Sequence, residues 1–423
     1  MHTSRGYRPI ALLVVMTIVG LSLVGCSSGS SSATPTLNFY LYPDNSPATQ
    51  KAVDNCNAAS NGAYTIKYQK LPKGADGQRQ QMVRRLAAKD SSMDILGLDV
   101  TWAPEFAAAG WILEWTGDNK TKVTDGTLAG PLETATYQDK LWAAPFNSNT
   151  QLLWYRSDLV PTPPTTWEQM IQMSEQLAQQ GKPHLIEIQG NQYEGITVWF
   201  NTLLASAGGS VLNEAGDAPA MGQPAVDALQ VMQRLATSVA ADPSLSVQQE
   251  DDNRLAMEAG TAAFELNYPF VYPSMKKDDP EMFANFKWAP YPGVKDGEPS
   301  KVTIGGINLA VSSYSKHPDL AFAATLCLRD SETQKIGAIE GGVPPSLAAL
   351  YDDPELDEAY PFRQEIRDSL ANAAVRPLTP AYQNLSIVIS HAVSPPDAID
   401  PPKTEQKMTD QLSDALQSKG LVP

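Results

Sequence analysis

The chain has 423 residues, 42% of them hydrophobic and 18% charged, with a formal net charge of −16. That length implies two domains at ~100–200 residues each. The acidic excess excludes a nucleic-acid binder, whose footprint is basic, and weighs against an anionic ligand, although local charge can override the global field.

His2, Arg5 and Arg8 form a basic leader, Ile10 to Val24 is apolar without charge, and Leu23-Val24-Gly25-Cys26 closes the segment. A short apolar run with basic flanks, ending in small residues, predicts a secretory signal over residues 1–25 rather than a membrane span. The Leu-x-Gly-Cys ending resembles the lipobox of bacterial lipoproteins. That likeness implies a diacylglyceryl group on Cys26 as the first mature residue, and residues 26–35, rich in Ser, read as a flexible tether. A plain signal peptide with a chance Cys is the alternative. One lipid chain holds weakly, so stable anchoring takes two or more. With Cys26 used in this way, Cys56 and Cys327 remain as an even pair in an oxidising compartment, either a disulfide or two buried thiols.

The body reads as alternating strands and helices. Leu37, Phe39 and Leu41 alternate with polar neighbours, a strand. Ser46-Pro47 resembles an N-cap and first helical position. Tyr64 to Gln69 reads as a strand, Met82 to Ala88 as helix, and Asp94 to Leu98 as a buried strand. That order predicts a parallel sheet with helices on both faces. Thr150 to Tyr155 is the next strand. Thr165-x-x-Glu168 has capping-box spacing before Trp167, Met170, Ile171 and Leu177 at helical intervals. Val226, Leu229, Met232, Leu235 and Val239 share a helical face. Thr261 to Leu266 reads as a strand, Val302 to Ser312 as a long apolar strand containing Gly305-Gly306, and Thr404 to Leu416 as a terminal helix.

Signals for catalysis are poor. His2, His184, His317 and His391 are scattered without metal-ligand spacing. There is no Walker loop and no dinucleotide fingerprint. The Gly-x-Ser-x-Gly match at Gly25 to Gly29 lies in the lipobox, not on a strand–turn–helix elbow. Signals for sugar binding are better, because hydroxyls need planar hydrogen-bonding side chains and the apolar ring faces need aromatic partners. In open α/β sheets such groups gather at the carboxyl ends of strands. Asp99 and Trp102 follow one apolar strand, Asn147 and Asn149 separate two others, and Tyr268 and Tyr272 follow a third. Each has a plainer reading: Asp99 as a helix cap, the tyrosines as core.

Several stretches resemble the sugar-binding lipoproteins of bacterial ABC importers, extracellular solute-binding protein family 1, and among them the mycobacterial trehalose-binding lipoproteins. They are Leu98-Asp-Val-Thr-Trp-Ala-Pro-Glu-Phe-Ala-Ala-Ala-Gly-Trp111, Asn149-Thr-Gln-Leu-Leu-Trp-Tyr-Arg156, Trp199-Phe-Asn-Thr-Leu-Leu-Ala-Ser-Ala-Gly-Gly-Ser-Val-Leu212, Lys301-Val-Thr-Ile-Gly-Gly-Ile-Asn-Leu-Ala-Val311, Glu340-Gly-Gly-Val-Pro344 and Ala374-Val-Arg-Pro-Leu-Thr-Pro380. The resemblance implies a two-lobed α/β fold of the type II periplasmic-binding-protein kind, with the ligand in a cleft between lobes. The lobes are expected at 36–147 plus 303–343 and at 148–302 plus 344–423.

By position, the resemblance implies hydroxyl-binding roles for Asp99 and Asn149 and a bidentate donor role for Arg376. It implies close backbone approach at Gly305, Gly306 and Glu340 to Gly342. Tyr268 stands where those relatives have a tryptophan, and an insertion they carry shortly after Tyr272 is missing. Asn45, Trp102 and Glu194 complete the candidate set. Pro377 favours an extended turn at Arg376, which can grip two vicinal hydroxyls or a sugar oxygen plus Asp99, or else serve as a salt bridge between elements. The expected protein is a monomer without cofactor or metal. It takes trehalose or a related disaccharide, is anchored by lipid, and hands its cargo to the permease subunits of an importer. A binder of another neutral sugar or glycerol derivative, or a secreted carbohydrate-active enzyme, are the alternatives.

Overall fold

The computed structural model describes residues 34–43, 46–417 and 419. The expected signal segment 1–25, Cys26 with the tether up to residue 33, and Asn45 lie outside the described residues. In chain order the strands are β1 (Thr36–Leu41), β2 (Thr65–Lys70), β3 (Ile95–Asp99), β4 (Thr136–Tyr137), β5 (Lys140–Leu141), β6 (Ala144–Asn149), β7 (Leu152–Arg156), β8 (Leu185–Glu187), β9 (Ala262–Asn267), β10 (Phe286–Ala289) and β11 (Gly305–Val311).

The first lobe is built on a five-stranded sheet in the order β2-β1-β3-β11-β6. β1 runs parallel to β2 and β3, while β11 runs antiparallel to β3 and β6. The apolar run Ile95 to Leu98 is buried along its whole length, as a strand covered on both faces must be. Phe39, Leu96, Phe106, Trp115 and Leu309 belong to this lobe's core. Cys56 on helix Ala48–Ala59 and Cys327 on helix Pro318–Leu328 form a disulfide with Cα atoms 5.8 Å apart, joining segments 271 residues distant.

The second lobe carries a four-stranded sheet in the order β10-β7-β9-β8. Its core gathers around Trp167, Trp199, Phe264 and Leu229. A third cluster joins Trp154, Tyr272, Phe286 and Phe362 of this lobe to Ile304 and Ala338. The stretch Trp199-Phe-Asn-Thr202 lies within helix Glu194–Ser206 and is buried. Asn201 Nδ2 and Thr202 Oγ1 each hydrogen bond to Thr303 Oγ1 at 2.9 Å, so this motif anchors a connection between lobes.

Three connections cross between the sheets. The first is Asn149 to Leu152, where Thr150 Oγ1 meets Ser369 Oγ at 2.7 Å. In the second, Val302–Ile304 pairs with Ala374 through Ala374 N–H to Val302 O and Ile304 N–H to Ala374 O, both 2.9 Å. In the third, residues 346–348 still belong to the first lobe. Ser346 N–H donates to Gln334 Oε1 at 2.7 Å, and Ala348 N–H to Gly126 O at 2.9 Å.

Local details differ from expectation by small register shifts. The first helix begins at Ala48 with Pro47 as N-cap, and Ser46 Oγ accepts from Ala48 N–H at 3.2 Å. The cap of helix Trp167–Gln179 is Thr166, which accepts from Gln169 N–H, and Gln169 Oε1 reaches back to Thr165 N–H. The cap is thus one residue later than the expected Thr165, and Gln169 rather than Glu168 reaches back, to the residue before the cap. Helix Gly222–Ala236 stops before Val239, which is 61% exposed. The long strand expected from Val302 is divided, its first residues forming the crossing and β11 starting at Gly305. Gly306 has φ +125, and a Cβ there would stand 2.6 Å from Asn147 O. The tight approach of β6 therefore demands glycine at this position. The terminal helix is Pro401–Leu416.

Candidate ligand-binding cleft

Asp99 ends β3 at its carboxyl edge, the position where an α/β sheet presents polar groups. Its Oδ1 accepts from Thr101 N–H at 3.0 Å and Thr101 Oγ1 at 2.8 Å, which fixes a turn before helix Ala103–Ala108. Asp99 does not cap that helix; Trp102 occupies the N-cap position. The carboxylate faces the second lobe, and Arg376 Nη2 lies 3.5 Å from Asp99 Oδ1.

Arg376 stands two residues beyond Ala374, the residue paired with the second crossing, so strand-like pairing sets its position. Its side chain is only 3% exposed. Nη1 donates to Glu194 Oε1, and Nη2 also reaches Ile304 O at 3.4 Å. The guanidinium carbon lies 5.8 Å from the centre of the Tyr382 ring. Arg376 Nε is buried and has no hydrogen-bond partner among the described residues.

Glu194 is the first residue of helix Glu194–Ser206, where the helix dipole favours a carboxylate. It also accepts from Tyr382 OH and Ser386 Oγ. Burial pushes its pKa up, Arg376 pulls it down, and Asp99 pushes it up again. Burial opposes the charge on Arg376, yet Tyr382, Asp99 and Glu194 hold its pKa well above the ordinary value.

Tyr268 follows β9, and its N–H donates to Asn267 Oδ1 at 2.8 Å. Burial and then the charge of Glu250 push its phenol pKa up. A Cβ on Gly305 would lie 3.8 Å from the Tyr268 ring and 3.3 Å from Asn149 Cβ. Gly305 and Asn149 are register partners across β11 and β6. Asp99, Asn149, Glu194, Tyr268, Gly305 and Arg376 are thus brought together where the two sheets meet.

Other candidates fall elsewhere. Trp102 is 4% exposed, packed in the first-lobe core and stacked on Phe106. Tyr272 belongs to the third core cluster. Asn147 Oδ1 accepts from Ile307 N–H at 2.9 Å and supports the β11 bulge. Glu340 forms an ion pair with Lys51 at 2.6 Å, and its Oε2 is buried without a hydrogen-bond partner among the described residues. Gly342 ends helix Ser331–Gly341 with φ +64, and a Cβ would stand 2.7 Å from Pro269 O. Helix termination and the approach of the second lobe explain that glycine. Asn45 and Cys26 lie outside the described residues.

Tyr382, Ser386 and Glu250 were not singled out from the sequence. Tyr382 and Ser386 are four apart on helix Tyr382–Val393, so they share a face. The helix also carries Gln383, Asn384, Ser390 and His391, so polarity alone did not mark this pair out. Glu250 opens helix Glu250–Glu258 among three acidic first-turn residues, where charge reads as ordinary helix capping. Two further pairs join the lobes: Gln383 Nε2 donates to Asp76 Oδ1 at 3.0 Å, and Lys73 lies 3.6 Å from Asp251. Among the described residues no group of three acidic, His or Cys side chains is arranged to hold a metal ion.

A family model described as bacterial extracellular solute-binding protein matches residues 42–326. A probable ABC transporter-binding protein of Deinococcus radiodurans is 28% identical over 398 residues, covering 89% of this chain and 92% of the relative. The maltose-bound MalE3 of T. maritima superposes with TM-score 0.80 at 25% identity, covering 89% of this chain and 98% of that one. The GacH receptor of Streptomyces glaucescens, solved unliganded and with acarbose, superposes with TM-score 0.80 at 19% identity, covering 92% and 100%. The fold is therefore the two-lobed type II arrangement of the periplasmic binding proteins.

Proposed function

Because the chain belongs to the bacterial extracellular solute-binding protein family, we propose that it captures a neutral disaccharide, trehalose or a close relative, and delivers it to the permease of an ABC importer. The family and its structural neighbours are transport binding proteins, not enzymes. The observation that carries the sugar reading is the position of Arg376. It meets Asp99 across the lobes and keeps one buried N–H without a partner among the described residues. A buried donor of this kind lacks compensation until a ligand or water supplies an acceptor. Asn149 and Tyr268 stand beside it, a planar amide and an aromatic face of the types that sugars need. Maltose and acarbose in the cited neighbours are compatible with a glycoside cargo. The choice of trehalose among glycosides rests on the sequence resemblance.

A ligand can favour the closed form only through contacts absent from the open one. Groups divided between two lobes meet that condition. The protein acts as a monomer, tethered through lipid on Cys26, with ATP hydrolysis left to the transporter. A thermal-shift panel of mono- and disaccharides tests the reading, since a ligand of the folded state raises its melting temperature by mass action. Trehalose is expected to give the largest shift, with no product released. Stabilisation by none of the sugars, or hydrolysis of one, rejects it.

A further inference from the structure

Glu194 accepts three donors, Arg376 Nη1, Tyr382 OH and Ser386 Oγ, all from its own lobe. With donors on both oxygens, it is held as an acceptor-only carboxylate. Its charge cannot swing away, and the side chain is only 12% exposed. Asp99 then approaches the same guanidinium from the other lobe. Two carboxylates thus share one cation at the centre of the cleft, leaving one negative charge in excess. Lys51 and Lys73 supply no spare cation, being paired with Glu340 and Asp251.

We propose that Glu194 sets the charge class of the ligand: by neutralising Arg376 from within its own lobe, it makes the cleft accept uncharged or amine-bearing glycosides and reject phosphorylated or acidic ones. The proposal rests on the sugar-binding reading above and goes beyond it. An anionic sugar would need Arg376 as its counter-ion, and that guanidinium is already committed. Its phosphate would then face two carboxylates at low dielectric. Unit charges ~7 Å apart at an effective dielectric of ~20 discriminate by on the order of 10- to 100-fold.

The test is calorimetric titration at pH 7 with trehalose, trehalose 6-phosphate and 6-amino-6-deoxytrehalose. Wild-type protein should bind the amine about as well as trehalose and the phosphate far more weakly. In Glu194→Gln, which keeps an acceptor for Arg376 without the charge, the penalty on the phosphate should shrink by roughly 10-fold. Steric exclusion of the phosphate would leave that ratio unchanged in Glu194→Gln and overturns the proposal. If the variant does not fold, the wild-type series decides: an amine bound no better than the phosphate overturns the proposal. Wild-type protein that binds none of the three overturns the sugar reading and this inference with it. Binding of trehalose without the charge order overturns this inference alone.

Discussion

Asp99 and Arg376 are 277 residues apart, sit on different lobes, and meet with Oδ1 and Nη2 3.5 Å apart. Each is held independently, Asp99 by the Thr101 turn and Arg376 by Glu194. The contact between them joins the two lobes directly. Asp99→Asn should leave the turn in place, because an amide oxygen still accepts from Thr101. Ligand affinity should fall roughly 10-fold or more, the worth of a charge-assisted hydrogen bond, with little change in the unliganded melting temperature. Titration and a melt of the same sample check both halves.

Arg376→Ala should behave differently. The side chain is 3% exposed and pairs with a Glu194 that is itself largely buried, so its removal leaves a buried carboxylate unpaired. Such losses cost about 3–5 kcal/mol. The unliganded protein should melt several degrees lower and bind no sugar. Arg376→Lys should not restore affinity, since a point charge cannot reproduce the fork. A variant with unchanged melting temperature would show that the Glu194 pair contributes nothing to stability.

A second buried acidic pair predicts the pH dependence. Glu187 and Glu265 are register partners on β8 and β9, both fully buried. Gln248 donates to Glu187 at 2.7 Å and Asn267 to Glu265 at 2.6 Å. Burial, then Asp242, pushes Glu187 up to about 8, and burial pushes Glu265 to about 8. In the unfolded chain both titrate near ~4.3. Between those values the folded state binds more protons, so stability falls as pH rises from ~4.3 through about 8 and flattens above. Melting temperature should decline over that window, and Glu265→Gln should flatten the decline. Parallel profiles for variant and wild type would exclude this pair as the cause.

The Cys56–Cys327 bond closes a loop of 271 residues. The loop-entropy model gives it about 5 kcal/mol as an upper range. Reductant should lower the melting temperature while leaving sugar affinity nearly intact, because both Cys lie on first-lobe helices and neither contacts the cleft residues described above. Thiol titration of denatured, unreduced protein should find neither of these two cysteines free.

What was legible in the sequence follows physical scale. The strands β1 and β3 announce themselves through short-range pattern, alternation in β1 and a continuous buried apolar run in β3. Asp99, Asn149 and Arg376 were reached through strand ends and family resemblance, and the fold brings them together. Local pattern could not show that Trp102 turns into the core, since an aromatic after a strand suits either environment. Nor could it place the caps: adjacent Thr165 and Thr166 both suit an N-cap, and only backbone geometry selects Thr166. Tyr382 and Ser386 owe their role to Glu194, about 190 residues earlier, a distance over which periodicity carries no information.

The central claim is that one sugar is gripped from both lobes by Asp99 and Arg376. The most direct measurement is a crystal structure grown with trehalose. The account predicts the disaccharide in the cleft, hydrogen bonded to Asp99 and Arg376 together, with a ring face against Tyr268. A sugar bound elsewhere, or held by one lobe alone with Asp99 and Arg376 still paired only to protein, would contradict it.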